Sequence, residues 1–223
     1  MRLRIVGLPT VLGFVLALGF AGLVSGTAVA EPCCGPITPA GERLTRFLDG
    51  SGVDHLWLAK SRVDWSTGEA RPGEAPKATH CSAFVGAMTV RLGMYVLRPP
   101  EHSQELLANA QLRWLRDSGA ASGWRSLPDP VAAQTAANRG DLVLEAFENP
   151  NSAKPGHIAI VRPSQQSLET LQREGPRETQ AGETNSFNTS TKSGFRHHPG
   201  AWVPEGQGGI RYYAHAVDWA KMP

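Results

Sequence analysis

Apolar residues fall into two regimes along this chain: helical spacing as far as about residue 137, and short unbroken runs beyond it. In the first regime Thr38-Pro39 opens a short helix carrying Leu44, Phe47 and Leu48 and stopped by Gly50. Phe84, Val85, Met88 and Leu92 recur at helical spacing behind Cys81, with Gly93 placed to end that helix. Ser103 is expected to cap a third, with Leu106, Leu107, Ala110, Trp114 and Leu115 facing the core and Gly119 ending it. Asp129-Pro130 opens an Ala-rich helix through about Ala137. In the second regime Asp141 to Phe147, His157 to Arg162, Arg177 to Gly182 and Ile210 to Val217 read as strands, with Ser164 to Pro176 and Glu183 to Gly209 as loops. Helices first and strands later predict an α+β fold with N-terminal helices packed on an antiparallel sheet.

Ahead of these elements stands an apolar block. Arg2 and Arg4 precede a run from Ile5 to Val24, and Ala28-Val29-Ala30 gives a small-residue cleavage pattern, so residues 1–30 read as a secretory signal. The run is long enough to span a bilayer at about 20 residues. Gly7, Pro9, Gly13, Gly19 and Gly22 dilute it, which favours export with cleavage and no membrane association afterwards. The expected organisation is a signal at 1–30, an N-terminal segment with a short helix at 31–54, and a catalytic domain at 55–223. Arg2 and Arg4 account for the whole excess of 22 basic over 20 acidic residues. The exported chain is therefore formally neutral, unlike a nucleic-acid binder with its basic patch or stripe.

Three cysteines are present. Cys33 and Cys34 are adjacent, and neighbours rarely bond each other because a disulfide needs a longer reach between backbones. They are expected to form a flexible feature, with one of them open to another chain, to lipidation or to Cys81; Ala30-Glu31-Pro32 does not resemble a lipoprotein processing site. Cys81 is the candidate of greatest chemical interest. It lies where a Gly/Pro-rich loop gives way to a helix, and a thiol in the first helical turn feels a dipole that favours the thiolate. His157, at the start of Gly156-His157-Ile158-Ala159-Ile160-Val161, is its expected partner. His157, Ala159 and Val161 share one face of that strand, so the small Ala159 leaves room beside the imidazole.

Three motifs in order, His80-Cys81-Ser82-Ala83-Phe84-Val85, Gly140-Asp141-Leu142-Val143 and the His157 strand, resemble those of the NlpC and CHAP branches of the papain-like amidases over roughly residues 55–185. The resemblance implies a papain-like fold and acyl transfer by a Cys-His-polar triad. His157 takes the proton of Cys81, the thiolate attacks an amide carbonyl, and the Cys81 backbone N–H helps hold the oxyanion. It places the third member on the next strand, at Gln180, with Asn185 as rival and Glu178 on Gln180's face. His80 stands where the families carry Asp and Ala83 where they carry Gly; His80 either lines the site or, as expected, sits on its rim. No cofactor or metal is implied, and His197-His198 do not suggest one, since neighbours in an extended chain point to opposite faces. Trp65 is either a cleft wall or core, and Thr184 to Ser193 reads as a loop over the cleft.

The expected function is an exported, periplasmic or extracellular cysteine amidase or endopeptidase acting on peptidoglycan stem peptides. Its rivals are a non-catalytic envelope-binding module of the same fold, Cys81 as a structural half-cystine, and transacylation.

Overall fold

The computed structural model describes residues 32–203 and 208–222, so the expected signal at 1–30 lies outside the described residues. In chain order the elements are α1 (Pro39–Asp49), β1 (Ser61–Val63), β2 (Ala70–Glu74), α2 (Cys81–Arg91) and α3 (Leu107–Asp117). After a 3-10 turn at Gly119–Ser122 come β3 (Arg125–Leu127), α4 (Pro130–Asn138), β4 (Leu142–Phe147) and β5 (His157–Val161). The chain closes with α5 (Leu168–Glu174), β6 (Arg177–Gln180), β7 (Ser186–Ser190), α6 (Thr191–Gly194) and β8 (Arg211–His215).

Local chemistry sets several boundaries. The Thr38 hydroxyl accepts the Gly41 N–H at 3.2 Å, with Pro39 in the first turn of α1. Asp129 does the same for Ala132 at 2.7 Å, with Pro130 opening α4. Ser103 does not cap α3. Leu106, at φ 49°, turns the chain so that Leu107 and Ala108 enter the core as the helix begins. Gly140, at φ 93°, seats the α4–β4 connection on α1, where a Cβ would fall 2.6 Å from Ala40.

Six strands form one sheet in the order β3-β8-β4-β5-β6-β7, every neighbouring pair antiparallel, and β1 and β2 form a separate hairpin. The fold is α+β. Leu142, Leu144, Ala146, Ile158 and Ile160 point into one core, beneath Leu44, Leu48, Phe84, Val85, Met88 and Leu112 of the first three helices. Val143, Phe147, Ala159 and Val161 point into a second, beneath Ala133, Ala136 and Ala137 of α4 and beside Phe195. With both faces covered, β4 and β5 bury every residue, which explains their unbroken apolar runs. The 31–54 segment belongs to the first core through Leu44, Leu48 and Val53.

The two expected loops contain structure. Ser164–Pro176 holds α5, capped by Ser167 and anchored by buried Leu171. The stretch after Glu183 holds β7 and α6, with Phe187 packed against the first core.

Cys33 and Cys34 correct an expectation, for they are bonded to each other. Consecutive positive φ angles at Cys34 (78°) and Gly35 (74°) turn the chain there. The segment is also fixed: Cys33 N–H donates to the Gln166 carbonyl at 2.8 Å, and Asn138 Nδ2 donates to the Gly35 carbonyl at 3.1 Å. Cys81 is free, so it is no half-cystine here.

Candidate active site around Cys81 and His157

Cys81 is the first residue of α2, a helix buried on every side from Cys81 to Thr89. It is 5% exposed and packs in the first core with Ile158. His80 precedes it but offers the helix no side-chain cap. Its Nε2 instead lies 2.8 Å from the Ser61 carbonyl, and burial pushes its pKa down. This ties the loop before Cys81 to the hairpin, and it places His80 inside the fold, contrary to the expected rim position. Uncapped, the first-turn N–H groups remain available.

Burial also dominates the thiol. It raises the Cys81 pKa, against the smaller opposing influence of the Ile158, Ser82 and Cys81 backbone N–H groups and the Ser82 side chain. Desolvation thus works against the helix dipole and favours the neutral thiol at rest.

His157 opens β5, opposite Phe147 of β4. Its Nε2 lies 2.7 Å from Gln180 Oε1 in a buried bond. The Gln180 amide orientation is set from its other end, since Nε2 donates to the Thr184 carbonyl at 3.0 Å. A carbonyl oxygen can only accept, so the His157 proton sits on Nε2 and Nδ1 is left bare. Phe195 meets the ring edge-on at 4.6 Å, and His198 stacks on it at 5.3 Å and 12°. Burial, with His198 adding to it, pushes the His157 pKa down to about 3. The imidazole rests neutral as well.

Asn185 does not compete for this role. Its Nδ2 donates to the Val53 and Leu56 carbonyls at 2.7 and 2.9 Å, and its Oδ1 accepts the Gly182 N–H at 3.0 Å. It staples one loop to another. Glu178 lies buried beside Glu145, whose Oε2 accepts the Thr191 hydroxyl at 2.8 Å. Burial raises both carboxyl pKa values, that of Glu145 to about 7, and their mutual repulsion raises Glu178 further. The two buried carboxyls titrate as a pair, with Glu178 the more strongly raised.

The structure thus joins His157 to Gln180 and sets Cys81 beside Ile158, the next residue along. Among the described residues no hydrogen bond links the thiol to the imidazole. His157, Gln180 and His198 line one hollow of about 280 Å³. Cys81, His80 and Ser82 line another of about 320 Å³. Lys77, Thr79, Pro155 and Gly156 border both. Lys154 and Arg196 stand at the His157 side, where Glu183 is paired with His197 at 3.2 Å. Trp65 borders neither hollow; it packs on the first core and accepts the Trp57 indole N–H at 2.9 Å through its carbonyl.

Two features of the site were not anticipated. The sequence suggests no role for His198 once metal ligation is set aside, whereas the buried Glu145 carries a visible signal, a carboxylate inside the apolar run Leu142–Phe147. Among the described residues no group of three or more His, Cys, Asp or Glu could hold a metal ion. Comparison of the chain with protein-family models and with curated proteins finds no match.

Proposed function

We propose that the protein is a papain-like cysteine amidase or endopeptidase, with Cys81 as nucleophile, His157 as base and Gln180 as the residue that orients the imidazole. The observation that carries this reading is the His157–Gln180 bond, which holds the proton on Nε2 and frees Nδ1 one residue from the thiol's backbone neighbour. Because both partners rest neutral, proton transfer from Sγ to Nδ1 accompanies attack on the carbonyl, and charge appears only as the reaction proceeds. The first-turn N–H groups of α2 receive the developing oxyanion. His157 then returns its proton to the leaving amine, and water releases the acyl group. The reaction requires Sγ and Nδ1 to meet at the shared border of the two hollows, across which the substrate would lie.

The substrate class proposed is the peptidoglycan stem peptide. Lys77, Lys154 and Arg196, each without a carboxylate partner among the described residues, suit its acidic groups. Digestion of purified peptidoglycan under reducing conditions, with Cys81→Ala alongside and products read by mass spectrometry, tests the proposal. Fragments from the wild type alone support it, and their masses name the bond. Equal fragments from both proteins refute it.

The buried neutral thiol and the missing Cys–His bond favour a second reading, a binding module that keeps the fold. It requires peptidoglycan binding without cleavage, unchanged in Cys81→Ala.

A further inference from the structure

We infer that the protein carries a second ligand site, for a phosphate ester with an apolar or aromatic substituent, at the opposite end of α2 from Cys81. Ten residues separate Cys81 from Arg91, which is about 15 Å along a helix. There a cavity of about 740 Å³ opens between α1, the end of α2 and the C-terminal segment, a volume suited to a small organic molecule.

Three guanidinium groups line it, from Arg43, Arg46 and Arg91, together with the apolar side chains of Phe47, Trp219 and Met222. Two of the three are held in place without their charge being met. Arg43 lies over the Trp219 ring at 5.7 Å and donates to the Met222 carbonyl at 3.0 Å. Arg91 lies over Trp57 at 5.4 Å and donates to the Ser51 carbonyl at 3.3 Å. Arg46 is exposed. No carboxylate pairs with any of them among the described residues: Asp49 is engaged with Arg162 and Asp218 with Lys221, and Glu42, next to Arg43 in sequence, forms no ion pair with them.

Helix dipoles explain part of this arrangement, since Arg46 and Arg91 occupy the last turns of their helices. They do not explain Arg43, which lies a turn earlier on α1 and faces the same space. Three planar donors lining one cavity suit the oxygens of a phosphate, and the aromatic and thioether lining suits an apolar group joined to it. None of its lining residues borders either hollow at Cys81 or His157, so this site does not depend on the proposed chemistry.

Calorimetric titration of the protein with phenyl phosphate, inorganic phosphate and phenol tests the inference. Phenyl phosphate is expected to bind best, and Cys81→Ala to bind it equally well. Arg46→Gln, at an exposed position, and Arg43→Gln are each expected to weaken it about tenfold with the fold intact by circular dichroism. Inorganic phosphate binding as tightly as phenyl phosphate would overturn the apolar half of the inference. No binding of phenyl phosphate, or binding unchanged in both arginine variants, would overturn it entirely. Retention on phosphatidylglycerol vesicles without uptake of phenyl phosphate would assign the arginines to a membrane surface and overturn it as well.

Discussion

Replacing Gln180 by Ala removes the one group that fixes the His157 tautomer. The bond is 2.7 Å long and joins residues that are 3% and 5% exposed, so water does not readily replace it. Leaving a buried N–H without a partner costs about 1–3 kcal/mol. The second bond of the amide, to the Thr184 carbonyl, goes with it. If the whole penalty appears in the transition state, where the imidazole becomes a cation, turnover falls about 5- to 150-fold. Gln180→Glu keeps an acceptor at the same position and is expected to retain the tautomer. The assay has two arms: the rate of fragment release from peptidoglycan, and the ¹⁵N spectrum of the His157 ring. Wild type and Gln180→Glu should show Nε2 protonated, and Gln180→Ala a mixture of tautomers. A folded Gln180→Ala with an unmixed Nε2–H spectrum and undiminished release would refute the reasoning.

Further outcomes follow from the buried groups. The Glu145 and Glu178 carboxyls titrate at 4.5 when unperturbed and are raised by burial, that of Glu145 to about 7. The unfolded chain therefore ionises first, and stability falls as pH rises from about 4.5 through 7, by about 3 kcal/mol for Glu145. Thermal melts should show this loss, and Glu178→Gln should reduce it. His157 works from the other side: its pKa falls from 6.5 to about 3, so the unfolded chain takes up a proton first as pH drops below 6.5 and stability declines there. Maximal stability is expected between about pH 4.5 and 6.5; a melting temperature that climbs steadily to pH 9 would contradict the carboxyl assignment, and one undiminished from pH 6.5 down to 3 would contradict that of His157. Leu144→Ala empties a fully buried position between β4 and the helices and should cost about 2–5 kcal/mol in denaturant titration. Gly140→Ala drives a Cβ toward Ala40 from a left-handed backbone and should cost at least about 2 kcal/mol by the same measurement.

The helices and strands that sequence reveals here are those with strong local signals. Thr38-Pro39 and Asp129-Pro130 cap as their residue types dictate, and the runs at 142–147 and 157–161 are apolar because α2 and α4 bury opposite faces of the same strands. What escapes is what tertiary contacts create. α5 rests on one buried side chain, Leu171, and β7 is a Ser/Thr/Asn-rich strand whose partner, β6, lies across a turn. In the site, His157 and Gln180 are legible because each falls at the end of a recognisable strand. Their protonation is not, since it depends on burial and on His198 arriving from a distant loop. The adjacent cysteines mislead for a related reason: spacing alone cannot reveal the turn at Cys34 and Gly35.

The buried, protonated state of Cys81 bears on how long such a protein would last in an oxidising medium. Peroxide and disulfide exchange both act through an accessible thiolate. A standing thiolate at the surface would be consumed between encounters with substrate. Here the sulfur is shielded by its neighbours and carries no resting charge, while the other two thiols of the chain are already closed on each other. If Cys81 acts as the proposed nucleophile, the same desolvation that slows its first step preserves it until a carbonyl is in place.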